Sequence, residues 1–125
     1  MVQGTVHAGF PSPAADFDCK PVDLNDLLIT NPLATFFWRA AGMSMVPAGI
    51  LEGDILVVDR SVTAAHGDVV VGEIDGDFTV KHFYRRAGRV SLVAADPTFP
   101  PVIPKDGQTL VICGVVIGVV RQLRA

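Results

Sequence analysis

The chain has 125 residues, which is enough for one domain and argues against a two-domain enzyme. Hydrophobic residues make up 50% of it and charged residues 18%, a balance that predicts a folded core and excludes a disordered chain. Ten Lys and Arg against 13 Asp and Glu give a formal net charge of −3, which disfavours direct, sequence-specific DNA binding.

No apolar run is long enough to span a bilayer or to serve as a secretory signal, so we expect a cytoplasmic protein that does not act at a membrane. The longest uncharged apolar stretch, residues 108–120, predicts a buried strand and is a candidate dimer surface. The two cysteines, Cys19 and Cys113, are too few and too far apart to indicate a disulfide framework or a metal site. We expect no cofactor.

Residues 1–35 are predicted to form an N-terminal arm, and residues 36–125 a single domain. Prolines at alternate positions, Pro11 and Pro13, favour extended backbone and exclude regular helix there. The arm carries one helical signal, because Asp23 is a suitable N-cap for the leucine-rich residues that follow, with Asn31-Pro32 as a stop.

After the arm, short runs of β-branched and aromatic residues alternate with turns, which predicts a mostly β domain. The predicted strands are Phe36–Arg39, Ile55–Asp59, Val69–Ile74, Asp77–Tyr84, Val90–Ala94 and Leu110–Val120. Asp75-Gly76 predicts a hairpin with a two-residue type I′ turn, which requires positive φ at both positions. Lys81 then lies on the second strand of that hairpin.

Ser44 is one candidate for chemistry, because it follows a predicted strand within a tight turn. Gly42 permits unusual backbone geometry there, and Pro47 suits the first turn of a short helix. Such a turn can present a hydroxyl and also aim backbone N–H groups, those of Met43 and Ser44, at a developing oxyanion. The simpler interpretation is that Ser44 only caps a helix, with Met43 and its neighbour Met45 in packing roles.

Lys81 is the candidate base for Ser44. His66 falls in a predicted turn and His82 points to the side of its strand opposite Lys81, so a structural role is favoured for both. Val80 and Phe83 flank Lys81 with apolar surface, and burial lowers the pKa of a lysine because desolvation penalises the ammonium form. A solvent-exposed lysine without a catalytic role remains the alternative.

Four segments in order resemble the LexA/UmuD family of self-cleaving serine–lysine peptidases. They are Ala41-Gly42-Met43-Ser44-Met45, Glu52 to Asp59, His66 to Val70, and Asp75 to Lys81. The arm around Gly9 to Phe17 and the final strand from Gly114 to Val120 are similar to the UmuD branch of this family. The resemblance covers about residues 8–123 and implies a fold of curved, largely antiparallel sheets, with a β-hairpin that carries the lysine and an extended arm.

The resemblance also implies the chemistry. Ser44 would be the nucleophile, Lys81 the general base, the Met43 and Ser44 N–H groups the oxyanion donors, and Ala8–Gly9 the bond cleaved in the protein's own arm. Family members cleave themselves when a RecA filament on single-stranded DNA stimulates them. The shortened UmuD homodimer then assists a UmuC-type DNA polymerase in error-prone translesion synthesis during the SOS response.

Two other functions remain open at this point. The chain could be a non-catalytic, dimeric polymerase-accessory protein with a vestigial dyad, because only eight residues precede Gly9. It could also be a self-cleaving repressor fragment, although the 43 residues before Ser44 leave little room for a DNA-binding helix-turn-helix domain.

Overall fold

The computed structural model describes residues 8–9, 21 and 23–124, which fall into two compact units, residues 1–30 and 31–125. The first unit contains helix α1, Leu24–Leu28, whose N-cap Asp23 accepts a 2.9 Å hydrogen bond from the N–H of Asn25. The predicted helix is confirmed, but it ends at Leu28 with Ile29 as its C-cap, before Asn31-Pro32. The proline-rich segment, residues 10–20, lies outside the described residues, and the predicted arm boundary at residue 35 stays a prediction.

The second unit contains six strands at nearly the predicted positions, which confirms the mostly β fold class. They are β1 (Thr35–Arg39), β2 (Ile55–Asp59), β3 (Val69–Ile74), β4 (Asp77–Arg86), β5 (Arg89–Val93) and β6 (Leu110–Val120). A short 3₁₀ helix, Val46–Ala48, lies between β1 and β2. In residues 23–124 no helix is both long and apolar enough to cross a membrane.

All six strands belong to one antiparallel sheet in the order β1-β2-β6-β3-β4-β5. The last strand therefore lies between β2 and β3, with no direct pairing of those two strands. The register shifts once along each of its edges, because Ile117 and Cys113 are extra residues in β6 opposite β2 and β3 respectively. Such bulges bend a strand and increase its twist.

The β3–β4 hairpin is confirmed as predicted. Its two turn residues, Asp75 and Gly76, have φ values of 50° and 86°, as a type I′ turn requires. The register places Val71 opposite Val80 and Val70 opposite Lys81. This turn fixes where Lys81 lies along the sheet.

Apolar side chains pack in two clusters, because successive residues of a strand point to opposite faces. Val71 and Leu56 belong to one cluster, with Met45 and Ile50 from the segment after β1, and Val70 and Phe83 to the other. The predicted strand in residues 108–120 is confirmed, but it is not wholly buried, since Val111, Ile117 and Val119 have exposed fractions of 47%, 37% and 37%. Part of β6 is therefore open to solvent in the single chain.

Candidate active site

Ser44 lies in the turn between β1 and the 3₁₀ helix, as the sequence predicts. Gly42 adopts φ of +82°, a left-handed conformation that glycine accepts readily. The Ser44 carbonyl accepts a 2.9 Å hydrogen bond from the N–H of Asp96, which follows β5. The main chain of the serine is therefore tied to a second loop, and its side chain is half-buried.

Met45 anchors the residue after the serine in the core. Its side chain is buried, and its Sδ accepts a hydrogen bond from the N–H of Ala95 at 3.3 Å. Pro47 lies in the 3₁₀ helix, where its missing N–H is not needed. The predicted packing role of Met45 is thus confirmed, whereas Met43 is exposed.

Two backbone N–H groups of the serine turn are available to donate hydrogen bonds to a bound group. Within residues 23–124, the N–H groups of Met43 and Ser44 have no hydrogen-bond acceptor, although those of Val46, Ala48 and Gly49 each have one. Two adjacent N–H groups without a protein acceptor are what an oxyanion hole uses.

Lys81 lies on β4 and is half-buried. Burial lowers the pKa of its ammonium group, because desolvation penalises the charged form. Its Nζ donates a 2.7 Å hydrogen bond to Oγ1 of Thr79, two residues earlier on the same face of the strand. The sequence reasoning missed Thr79, although the two-residue period of a strand could have indicated it.

Ser44 and Lys81 line the same cavity, which has a volume of about 170 Å³. The rings of Trp38 and Phe78, with centroids 4.7 Å apart, also line it. Its other lining residues come from β1, the serine turn and the β3–β4 hairpin: Arg39, Ala40, Ala41, Gly42, Met45, Ile50, Val71, Thr79 and Val80. A serine hydroxyl and a partly desolvated amine thus line one partly apolar recess.

The two histidines of the β-domain lie outside this cavity and have other contacts. His66 Nδ1 accepts a 3.0 Å hydrogen bond from the Arg85 N–H, and its ring stacks on Tyr84 at 4.7 Å. His82 Nδ1 is 3.2 Å from the carbonyl oxygen of Gly67. These contacts agree with the structural role that the sequence favours for both residues.

Ala8 and Gly9, the predicted cleavage site, belong to the unit of residues 1–30, and both are exposed. Cleavage of the bond between them remains a prediction, as do the catalytic roles of Ser44 and Lys81. In residues 23–124 and the three other described positions, no three His, Cys, Asp or Glu side chains converge as a metal site requires.

Comparison with known proteins identifies the family. Residues 1–117 match a family model described as "Peptidase S24-like". The chain is 47% identical over 119 residues to Protein ImpA of Escherichia coli, covering 94% of this chain and 79% of that protein. It is 42% identical over 118 residues to Protein SamA of Salmonella typhimurium strain LT2, covering 94% and 81% respectively. The LexA repressor of Syntrophotalea carbinolica is 37% identical over 127 residues, covering 98% of this chain and 59% of the repressor.

The chain therefore belongs to the S24-like peptidase family, which contains the LexA/UmuD self-cleaving serine peptidases. Within that family it is UmuD-like, which confirms the family resemblance that the sequence indicates.

Proposed function

We propose that the protein is a self-cleaving serine endopeptidase of the UmuD type, with Ser44 as nucleophile and Lys81 as general base. The observation that carries this proposal is the shared cavity, in which burial favours the neutral amine of Lys81 beside the Ser44 turn. A neutral lysine can accept a proton from a serine hydroxyl, which an ammonium cannot.

In the proposed reaction, Ser44 Oγ attacks the carbonyl carbon of Ala8 while Lys81 Nζ takes the hydroxyl proton. The negative charge moves to the carbonyl oxygen, where the N–H groups of Met43 and Ser44 stabilise it. Collapse of this intermediate breaks the Ala8–Gly9 bond, and the lysine returns the proton to the departing amine of Gly9. Lys81 then deprotonates a water molecule, which hydrolyses the acyl-enzyme and regenerates Ser44.

The resemblance to UmuD-like proteins supports the proposed trigger and partners. A RecA filament on single-stranded DNA would stimulate cleavage, and the shortened chain would act as a homodimer that assists a UmuC-type polymerase in error-prone translesion synthesis. The exposed apolar residues Val111, Ile117 and Val119 on β6 support a contact between two copies. The acidic net charge of −3 suits a protein that reaches DNA through partners.

The test is the intact mass of the purified protein during incubation at alkaline pH, alone and with RecA filaments. We expect two fragments separated at Ala8–Gly9, formed faster with the filament at neutral pH. Ser44→Ala and Lys81→Ala should remain intact, while Ser91→Ala and Lys105→Ala, the same changes outside the cavity, should cleave like wild type. A wild-type chain that stays intact under both conditions would refute the proposed peptidase activity and favour the non-catalytic accessory role.

A further inference from the structure

An ion pair between Arg121, which is 41% exposed, and the buried Asp54 joins the end of β6 to the start of β2. Arg121 directly follows β6 and Asp54 directly precedes β2. The guanidinium Nε donates to Asp54 Oδ1 at 2.7 Å and Nη2 donates to Oδ2 at 2.6 Å. Asp54 is only 2% exposed, and this two-point contact supplies the positive charge that compensates its carboxylate.

Arg121 and Asp54 also form hydrogen bonds with the main chain between the 3₁₀ helix and β2. Arg121 Nη2 donates to the Gly49 carbonyl at 2.9 Å, and Asp54 Oδ2 accepts from the Leu51 N–H at 2.7 Å. Gly49 ends the 3₁₀ helix in a left-handed conformation, with φ of +86°. The ion pair therefore fixes both sides of the peptide segment that leaves this helix.

These contacts continue to Ser44 through a short chain of hydrogen bonds. We call residues 40–54 the nucleophile loop. Its ends are joined because Ala40 N–H donates to the Asp54 carbonyl and Gly53 N–H to the Ala40 carbonyl, both at 2.8 Å. Inside the loop, the Met45 carbonyl accepts from Ala48 at 3.0 Å and from Ile50 at 3.2 Å. Met45, the residue next to the serine, is thus bonded to the part of the loop that the ion pair holds.

We propose that Arg121 and Asp54 are positioning residues for the serine, holding the nucleophile loop so that Ser44 and the backbone N–H groups of its turn keep their place at the cavity that Lys81 also lines. This inference rests on the proposed function. Neither residue of the pair touches the reacting atoms: Arg121 lines a different recess, and its effect on the serine passes through Gly49 and the 3₁₀ helix.

Arg121→Gln removes the two-point contact and leaves the buried carboxylate without its cation. A displacement of about 1 Å at a reacting group can cost roughly 100-fold in rate, so we expect the alkaline plateau of self-cleavage to fall by about tenfold or more. The midpoint of the rate–pH profile should not move, because that midpoint belongs to Lys81 on the β3–β4 hairpin. Arg121→Lys, which keeps the charge but not the fork geometry, should fall between wild type and Arg121→Gln.

The experiment combines this rate–pH profile with hydrogen exchange measured by NMR in the full-length chain. In Arg121→Gln, the amides of Ala48, Gly49 and Ile50 should exchange faster by about tenfold or more, while those of β3 and β4 keep wild-type rates. Arg124→Gln, the same change three residues later, is the matched control and should alter neither measurement. Adding Asp54→Asn to Arg121→Gln should cost little more, since the two residues act as one unit.

The outcomes separate this inference from the proposed function. Exchange does not require peptidase activity, so a wild type that never cleaves would refute the peptidase while exchange still decides whether the pair holds the loop. Unchanged exchange in Arg121→Gln would overturn the structural half of the inference, and faster exchange with a wild-type plateau would overturn the positioning role. If Arg121→Gln does not fold, Arg121→Lys serves for both measurements.

Discussion

Lys81 and Thr79 lie on the same side of β4, and Lys81 Nζ donates a 2.7 Å hydrogen bond to Thr79 Oγ1. The hydroxyl limits where a long, flexible side chain can place its amine, inside the cavity that Ser44 also lines. Lysine loses considerable rotamer freedom when it is held in this way, and the hydrogen bond offsets part of that loss.

Replacing Thr79 with valine, which has nearly the same shape, tests this contact. One net hydrogen bond is worth about 1 kcal/mol, so we expect the plateau rate of self-cleavage to fall about five- to tenfold in Thr79→Val. Thr79→Ser keeps the hydroxyl and should restore most of the rate. Mass spectrometry of an alkaline time course measures both, and a wild-type rate in Thr79→Val would show that the contact does not orient the base.

The pH dependence of self-cleavage should report the state of Lys81. Burial lowers the pKa of Lys81 below its ordinary value of 10.5, and the neutral amine is the reactive form. The rate should therefore rise about tenfold per pH unit below that pKa and level off before pH 10.5. Lys105→Ala should preserve the profile because Lys105 is exposed and outside the cavity. A rate that is flat, or that falls, between pH 7 and 10 would exclude Lys81 as the base.

Asp54 should make the folded chain sensitive to acid. The hydrogen bond from Arg121 holds the pKa of the Asp54 carboxyl below its usual range. Its stabilising contribution is therefore fully present above the ordinary pKa of an aspartate, near 4, and is lost as the pH falls through the lower folded value. Asp54→Asn should lower the free energy of unfolding at pH 7 and flatten its decline in acid.

Urea denaturation at a series of pH values measures that change. Asp106→Asn is the matched control, because Asp106 lies exposed in a turn and should leave the curve unchanged. Parallel curves for wild type and Asp54→Asn between pH 2 and 7 would show that the ion pair does not contribute to acid sensitivity.

Gly114 should tolerate no side chain, because β6 passes very close to β2 there. A Cβ at this position would lie 2.6 Å from Val58 Cγ1 and 3.0 Å from the Asp59 carbonyl oxygen, and Val58 is fully buried. Overpacking of this kind typically costs about 1–3 kcal/mol, so Gly114→Ala should lower the midpoint of thermal unfolding by several degrees. Thr109→Ala, at an exposed position just before the same strand, should change it little, and an unchanged midpoint in Gly114→Ala would mean that the strands can separate without cost.

Local patterns in the sequence predict most of the elements, since β-branched runs and the Asp75-Gly76 turn depend on residues close together in the chain. The order of the strands depends on long-range pairing instead. Nothing in residues 110–120 indicates that they insert between β2 and β3, and the bulges at Cys113 and Ile117 arise only when both neighbours are in place.

The candidate site likewise has features that local sequence predicts and features that depend on long-range contacts. The sequence predicts the tight turn at Gly42 and the desolvation of Lys81, and the structure contains both, while the catalytic roles of Ser44 and Lys81 stay predictions. The contact of Arg121 with Asp54 spans 67 residues of sequence, so no spacing rule could have paired them. Two oppositely charged residues far apart in a chain have many possible partners, and only the fold selects one.

The central place of β6 has a consequence for the timing of synthesis. The strands that carry the serine turn, β1 and β2, and those that carry Lys81, β3 and β4, are joined in the sheet only through a strand that the ribosome makes after all of them. A nascent chain that stops short of residue 110 has the Ser44 hydroxyl and the Lys81 amine, but it lacks the strand whose hydrogen bonds to β2 and β3 align them. Translation order would therefore act as a safeguard, keeping the proposed peptidase inactive until β6 has been made and has paired with β2 and β3.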